Sequence, residues 1–420
     1  MKAKTAIVLS VCAFAALSCM KGPTAPSPNG QNSITMKGEF PALQKKAGLA
    51  GKISAASAEA RTCALDPSQV ASVIAFCGTD GFMTSTVTGG SFNVVVDRRQ
   101  PAALLFVGTT GNNLGYLSLG NGMESIPLNM ADSNVSSIDL QTLAATGNII
   151  EPGHNPIGAE IPMTTSDITS YVFSNGSLGS VLKSPDVDGD GIVDVAAGKF
   201  YRYTMRYPIN AGNFGTNLTP TLANPVVINS YIFEVKITDP DLNYPDSVYF
   251  NGPAGSGIES ATSWLAQSFG PPEGRSYCAP FITNPSIPPP GTYIVRYKTK
   301  TLTFTMPSQA EITKYLPIPV PTVILNSDST IHMITWEYRL SDGSATIDPK
   351  VLILNIGVQI GIDAGNGPPG VQKYSVYNLP PETTEDVLTD QSINWSSVLN
   401  ILMGYLDVFG NQIQVIWDRP

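Results

Sequence analysis

Charge and histidine are both scarce in this sequence, and their scarcity narrows the classes of protein that it can encode. Only 14% of the 420 residues are charged, and only two are histidines, His154 and His332. The formal net charge of −9 disfavours nucleic acid and anionic lipid headgroups as partners. The sequence also lacks an H-E-x-x-H motif, a P-loop and a G-x-S-x-G nucleophile elbow. We recognise no catalytic constellation and predict that the protein is not an enzyme.

Cysteine is sparse as well, with five residues in the chain. No two of them have the C-x-x-C spacing of a zinc knuckle or a redox motif. Cys63 and Cys77 are 14 residues apart and are candidates for a disulfide, which is permitted outside the cytoplasm. Two buried thiols are the alternative. Cys278 is then left over, and we expect it to be a small buried hydrophobic residue.

Long apolar runs are missing too, because no run reaches the roughly 20 residues of a transmembrane helix. Residues 6–17 form a short apolar stretch behind Lys2 and Lys4. A short apolar stretch after a positive start is typical of a secretory signal peptide. The sequence therefore predicts export.

Residues 16–19, Ala-Leu-Ser-Cys, resemble the lipobox of bacterial lipoproteins. The resemblance implies removal of residues 1–18 as a signal peptide and lipid modification of Cys19, although that family favours leucine where this chain has Ala16. Met20, in place of aspartate, implies the outer membrane or the cell surface of a bacterial envelope. The membrane would then be a partner through the lipid anchor alone. An ordinary signal peptide without lipidation is the alternative.

Glycine and proline are abundant, with 38 and 34 residues, and this composition is typical of short strands joined by many turns. Hydrophobic residues make up 42% of the chain, too many for a disordered protein. We predict a mainly β, multidomain protein of antiparallel β-sandwiches with a short helical calcium-loop connector. Residues 19–48, rich in Pro, Gly, Ser and Lys, predict the lipidated cysteine and a flexible tether.

Short apolar runs separated by turns predict a first sandwich over residues 49–145. Gly51-Lys52-Ile53, Gly90–Val94 and Leu104–Val107 occupy the places of strand motifs in this region. In order and spacing they resemble the carboxypeptidase regulatory-like (prealbumin-like) domains of bacterial surface proteins. The resemblance implies a module that is not catalytic.

Residues 146–199 differ from their surroundings and predict a helical connector. Residues 164–173 predict a helix whose N-cap is Thr164, Thr165 or Ser166, since Ser and Thr side chains satisfy free amides at a helix start.

The remainder of the chain predicts two further sandwiches, over residues 200–310 and 311–420. Between them, the proline-rich residues 316–321 predict a stiff linker or the entry to an edge strand. Residues 334–338, Ile-Thr-Trp-Glu-Tyr, followed by the Ser-Asp-Gly turn at 341–343, resemble immunoglobulin-like or fibronectin type III domains. The resemblance implies immunoglobulin-like sandwiches.

Four tryptophans, Trp264, Trp336, Trp395 and Trp417, leave two interpretations open. Together with the tyrosines they could form a face that binds sugar or peptide. The other interpretation places most of them in sandwich cores or at sandwich edges.

An acidic segment, SPDVDGDGIVD at residues 184–194, matches the pattern D-x-D-x-D-G-x-x-D. It resembles the calcium loops of EF-hands and dockerins, in which alternating carboxylates surround one hard cation. The resemblance implies four side-chain ligands and one backbone carbonyl: Asp186, Asp188, Asp190, Asp194 and, through its carbonyl, Ile192.

Ala197 stands where an EF-hand carries a bidentate glutamate, so further ligands must come from elsewhere or from water. Glu160 and Asp167 are candidate distant donors. We expect modest affinity, sufficient for the roughly millimolar calcium of extracellular media, and a structural role in rigidifying the connector. A solvated Asp/Gly turn is the alternative.

We predict a lipid-anchored, extracytoplasmic, calcium-binding protein that acts as a surface binding, adhesion or scaffold module. Its ligand would be a surface protein or a glycan. The alternative is a secreted hydrolase or carbohydrate-active enzyme with catalytic acids in residues 200–420. A purely structural spacer is a third hypothesis.

Overall fold

The protein is mainly β, as the sequence predicts, with several antiparallel sheets and two α-helices among the residues that the structure describes. The structure is a computed structural model. It describes residues 32–41, 69–77, 81–176, 199–208, 217–218, 232–237, 245–259, 262–265, 275–278, 289–298, 300–344, 348–363, 371–388 and 392–419.

Nine strands form an N-terminal sandwich of two sheets. They are β1 (Ser33–Glu39), β2 (Val70–Cys77), β3 (Gly81–Thr86), β4 (Ser91–Asp97), β5 (Ala102–Gly108), β6 (Asn113–Leu117), β7 (Ser137–Thr142), β8 (Ala144–Thr146) and β9 (Ile149–Glu151). The strand order is β4-β1-β7 in one sheet and β3-β2-β5-β6-β9-β8 in the other. The rings of Phe40 and Phe92 both meet Phe106, with centroids 5.6 and 6.0 Å apart. The core therefore lies between the two sheets.

Strand β1 corrects the prediction of a flexible tether over residues 19–48. It pairs antiparallel with β4 and parallel with β7. Ile34, Met36 and Phe40 are buried at even-numbered positions, which is the period-two pattern of a strand with one face in a core. The tether prediction is wrong for Ser33–Glu39. It rests on the Pro, Gly, Ser and Lys content of the region and takes no account of this alternation.

In the described part of the chain after α1, fifteen strands follow in three sheets. They are β10 (Lys199–Pro208), β11 (Asn217–Leu218), β12 (Ile232–Ile237), β13 (Ser247–Asn251), β14 (Thr262–Leu265), β15 (Arg275–Cys278), β16 (Gly291–Tyr297), β17 (Lys300–Met306), β18 (Ile318–Leu325), β19 (Ile331–Arg339), β20 (Ile353–Ile362), β21 (Val371–Leu379), β22 (Glu385–Val387), β23 (Val398–Asp407) and β24 (Gln412–Asp418). The sheet orders are β15-β12-β10-β24-β23-β20-β21, β11-β18-β19-β22 and β14-β13-β16-β17.

The seven-stranded sheet corrects the predicted division at residues 310 and 311. Strand β10 pairs in parallel with β24, which places Arg202 opposite Gln412. Strand β11 likewise pairs with β18. Residues 200–310 and 311–420 therefore share sheets instead of forming two independent sandwiches. Alternation identifies a strand, but its partner is chosen by contacts distant in sequence.

The proline-rich residues 316–321 are not a linker, because most of them belong to strand β18. Their carbonyls accept hydrogen bonds from the seven-stranded sheet: Trp417 Nε1 donates to Pro319 at 3.1 Å, and the Tyr405 hydroxyl donates to Pro317 at 3.0 Å. Proline lacks an amide hydrogen but keeps a carbonyl acceptor. These bonds hold β18 against β23 and β24.

Candidate functional site at the junction of the two units

A helix, α1 (Thr165–Gly176), follows the N-terminal sandwich, close to the range that the sequence predicts. Its first turn is capped reciprocally. The Asp167 amide donates to Thr164 Oγ1 at 3.2 Å, and the Thr164 amide donates to Asp167 Oδ2 at 2.7 Å. This is the capping-box arrangement with aspartate in the glutamate position, and it confirms Thr164 among the three predicted caps.

The candidate distant calcium donors have partners within the N-terminal unit. Asp167 is buried, and its carboxylate caps α1. Glu160 lies with both carboxylate oxygens 2.9 Å from Nε2 of His154. In the described geometry both carboxylates therefore serve local contacts.

The last turns of α1 pack on the C-terminal unit through aromatic rings. Tyr171 meets Phe409 edge-on with centroids 4.9 Å apart, and Phe173 meets Tyr315 at 4.6 Å. Tyr315 ends a second helix, α2 (Gln309–Tyr315). Such aromatic pairs contribute about 0.5–1.5 kcal/mol each beyond burial of their area. They make the junction a packed interface.

The polar centre of this junction is Asp407, the last residue of β23, which is 0% exposed. Ser174 of α1 donates its hydroxyl to Asp407 Oδ2 at 2.7 Å. The amides of Phe409 and Asn411 donate to Oδ1 at 2.9 and 2.8 Å, and the Asn411 side chain also donates to Oδ2. One carboxyl group thus closes its own turn and binds the helix of the other unit.

Burial raises the pKa of Asp407 to about 6, and the hydrogen bonds from Asn411, Ser174 and Phe409 offset only part of that effect. Burial also raises the pKa of Tyr171, whose hydroxyl shares a 2.7 Å hydrogen bond with Ser125 Oγ. Taking a carboxylate out of water without an opposite charge disfavours its ionised form. The junction therefore contains a carboxyl group that titrates close to neutral pH.

The elements on either side of the segment that carries the acidic motif both neighbour residues 407–412. Ser174, near the end of α1, bonds to Asp407, and Arg202, near the start of β10, pairs with Gln412. The predicted calcium ligands Asp186, Asp188, Asp190, Ile192 and Asp194 lie outside the described residues.

The cysteine predictions lie mostly outside the described residues. Cys77 ends β2, where its backbone pairs with Gly81 and Ala102, but Cys63 and the predicted lipidation site Cys19 lie in undescribed parts. Within the described ranges, no group of three or more His, Cys, Asp or Glu side chains is placed to hold a metal ion. Among the same residues, no helix has the length and apolarity needed to cross a membrane.

Two tryptophans take the core role that the sequence predicts, since Trp336 and Trp417 are buried.

Tyr249, in contrast, is 48% exposed. It lies on β13 opposite Arg296 of β16, which in turn lies opposite Thr301 of β17, and both of these residues are exposed. Directly opposite residues share one face of an antiparallel sheet. An aromatic ring, a guanidinium and a hydroxyl therefore form an exposed row, which we call the Tyr249 row.

Sequence reasoning missed both Asp407 and the Tyr249 row. The residues Asp407-Val-Phe-Gly-Asn411 carry a turn signal, since Gly410 adopts a φ of +86° that favours glycine. Nothing in that signal indicates that the aspartate is buried against a helix more than 200 positions earlier in the chain.

No family model matches this chain, and the search of curated proteins also found no match. Among solved structures, the comparison gives Tp47, the 47-kilodalton lipoprotein of Treponema pallidum, at 9% identity over 84% of this chain and 87% of that one. The TM-score is 0.14, so this likeness carries no argument about fold or function.

Proposed function

We propose that the protein is a lipid-anchored, extracytoplasmic, calcium-binding module that binds a partner at the cell surface. The observation that carries the binding part is the Tyr249 row on the sheet β14-β13-β16-β17. No hydrogen bond or ion pair joins the side chain of Tyr249 or Arg296 to another described residue. An exposed aromatic ring and a neighbouring exposed guanidinium on one face of a sheet suit recognition of an extended ligand.

The chemistry of the row fits a glycan better than an apolar partner. A tyrosine ring offers an apolar face with a polar tip, against which the C–H face of a sugar can stack. The guanidinium presents up to five N–H donors for hydroxyl or carboxylate oxygens, and the threonine hydroxyl can donate or accept. In a chain of net charge −9, a local positive charge favours an acidic sugar over a neutral one.

A glycan array tests this binding. We expect the wild type to retain acidic glycans and the double variant Tyr249→Ala/Arg296→Ala to lose at least tenfold in affinity. Val387→Ala is the matched control, because Val387 is also exposed, at 40%, but lies on another sheet. Equal binding by the double variant and the wild type would reject the row as the binding surface. No retention of any glycan or surface protein would favour the structural spacer.

Calcium and the lipid anchor rest on the sequence motifs. Asp186, Asp188, Asp190 and Asp194 would supply carboxylate oxygens, Ile192 its carbonyl, and Cys19 the lipid. A structural role for the ion is supported by the elements before and after the motif, α1 and β10, which both neighbour residues 407–412. A cation bound by the intervening segment would brace these two elements against one another.

Thermal unfolding tests the calcium site. We expect the melting temperature to rise by several degrees when calcium replaces excess chelator, because ligand that binds only the folded state stabilises it. In Asp188→Asn/Asp190→Asn the rise should shrink or disappear, whereas Asp246→Asn should retain it. An unchanged melting temperature in the wild type would exclude a calcium brace.

The hydrolase alternative requires an accessible acid in residues 200–420. Burial raises the pKa of Asp407 in that range, but α1 and its own turn close this carboxyl off from solvent. That group therefore gives the hydrolase hypothesis no support.

A further inference from the structure

Asp407 has no cationic partner among the described residues, and unlike Asp167 it does not cap the start of a helix. Asp97 is bonded by Arg99, and Asp167 caps a helix N-terminus. Asp407 instead has only neutral donors: a serine hydroxyl, a carboxamide and two backbone amides. A buried aspartate needs a nearby positive charge to stay ionised. The described residues around Asp407 supply none.

The same site can also satisfy a protonated carboxyl group. Asn411 is 2% exposed, and its Oδ1 has no hydrogen-bond partner. The orientation of an asparagine amide is assigned from its hydrogen bonds, so rotation by half a turn would bring this acceptor to Asp407. The hydroxyl of Ser174 can accept as readily as donate. Both protonation states of Asp407 therefore find partners without repacking.

Among the described side chains of the surrounding elements, no charged group bonds to the Asp407 carboxyl. Helix α1 carries Tyr171, bonded to Ser125, and Asp167 at its far end. Helix α2 brings Lys314 and Tyr315, and the turn before β20, whose Leu352 carbonyl accepts from Val408, carries Asp348 and Lys350. Strand β10 places Arg202 in register with Gln412. Charge on described neighbours is not among the causes that shift the pKa of Asp407.

We propose that Asp407 is a proton-responsive lock, which strengthens the docking of α1 on the turn at residues 407–412 when it binds a proton and weakens that docking when it loses it. The sign follows from linkage. A carboxyl whose pKa is higher when docked than when exposed takes up a proton on docking. Its contribution to docking is complete below the pKa of an exposed aspartate and is lost as pH rises through about 6.

The expected change in the docking constant between two pH values can be calculated from the pKa of Asp407 in the exposed and docked states. With an exposed pKa of about 3.9 and a docked pKa of about 6, the docking constant should be roughly tenfold larger at pH 5.0 than at pH 7.5. Hydrogen exchange of residues 165–176 in the full chain, corrected for intrinsic rates, measures this difference directly. The measurement is made both in excess chelator and in saturating calcium, so that a calcium effect is separated from a proton effect.

Two variants and a control decide the proposal. Asp407→Asn mimics the neutral acid, and the protection of α1 should then be independent of pH between 5.0 and 7.5. Ser174→Ala retains the acid but removes one donor to its ionised form, so the midpoint should move to higher pH. Asp246→Asn, at an exposed acid, should behave as the wild type.

Several outcomes would overturn the lock. One is equal protection of α1 in the wild type at the two pH values. A second is a tenfold difference in protection between the two pH values that persists in Asp407→Asn. A third is a midpoint pH in Ser174→Ala that equals or lies below that of the wild type. The last is a pH effect on protection that is seen only when calcium is present. If Asp407→Asn does not fold, the Ser174→Ala midpoint alone decides the matter.

Discussion

The N-terminal sandwich and the C-terminal unit are built from similar short strands but differ in how far apart in the chain the paired strands lie. In the sandwich, the long pairing of β1 with β7 joins Thr35 to Ser137. In the C-terminal unit, β10 with β24 joins Arg202 to Gln412. The entropic cost of bringing strands together grows with loop length. That cost grows slowly, but because β10 and β24 belong to one sheet, the C-terminal unit should form only when both of its halves are present.

Removing one large core residue from each unit should have the largest effects on stability, and the two units should lose protection in different patterns. Trp417→Ala should cost about 3–5 kcal/mol, and it also removes the donor to the Pro319 carbonyl. Hydrogen exchange should show β10 and β20 losing protection together, because they share a sheet with β24. Phe106→Ala should cost a similar amount but expose β2 and β4 first. Retained protection of β10 in Trp417→Ala would mean that residues 200–310 are stable by themselves.

A second pair of variants tests whether strand β1 stabilises the N-terminal sandwich. Met36→Ala removes a fully buried side chain and should lower the free energy of unfolding of the sandwich by roughly 2–4 kcal/mol. The control is Lys37→Ala, at a half-exposed residue paired with Asp139 at 3.0 Å, where exposed ion pairs contribute about 0–1 kcal/mol. Chemical denaturation measures both. Equal, small effects would restore the tether interpretation for residues 33–39.

The smallest expected effect concerns the helix between the units. Thr164→Ala removes the cap from α1 and should cost about 1 kcal/mol, seen as faster exchange over residues 165–168. Thr164→Ser retains a hydroxyl acceptor and should stay close to the wild type. If the two variants exchange at the same rate, packing of Tyr171 and Phe173 rather than capping holds the helix.

Much of the secondary structure is predictable from local pattern. The β4 run Ser91–Asp97 alternates buried and exposed residues, and α1 follows a threonine cap, so both appear where the sequence predicts them. The tether prediction fails at Ile34 and Met36 because composition was weighed above alternation. The division at residue 310 fails for a deeper reason, since no local pattern in Lys199–Pro208 indicates that its partner is β24.

The candidate sites also fall into two groups, those formed by contiguous residues and those formed by residues far apart in the chain. The acidic motif and the lipobox-like cysteine are contiguous, and sequence alone suggests them. Asp407 and the Tyr249 row each depend on strands brought together from separate parts of the chain. A single aspartate before a glycine turn does not reveal whether water or a helix covers it.

The mainly β class, many of the strands and the capped helix can be predicted from the sequence, because they depend on side-chain periodicity and on hydrogen bonds between near neighbours. The tertiary contacts were needed to show that β10 and β11 share sheets with β24 and β18, that β1 belongs to the first sandwich and that Ser174 bonds to the buried Asp407. These depend on burial of apolar surface and on desolvation of a carboxyl group, which are set by residues that are far apart in the chain.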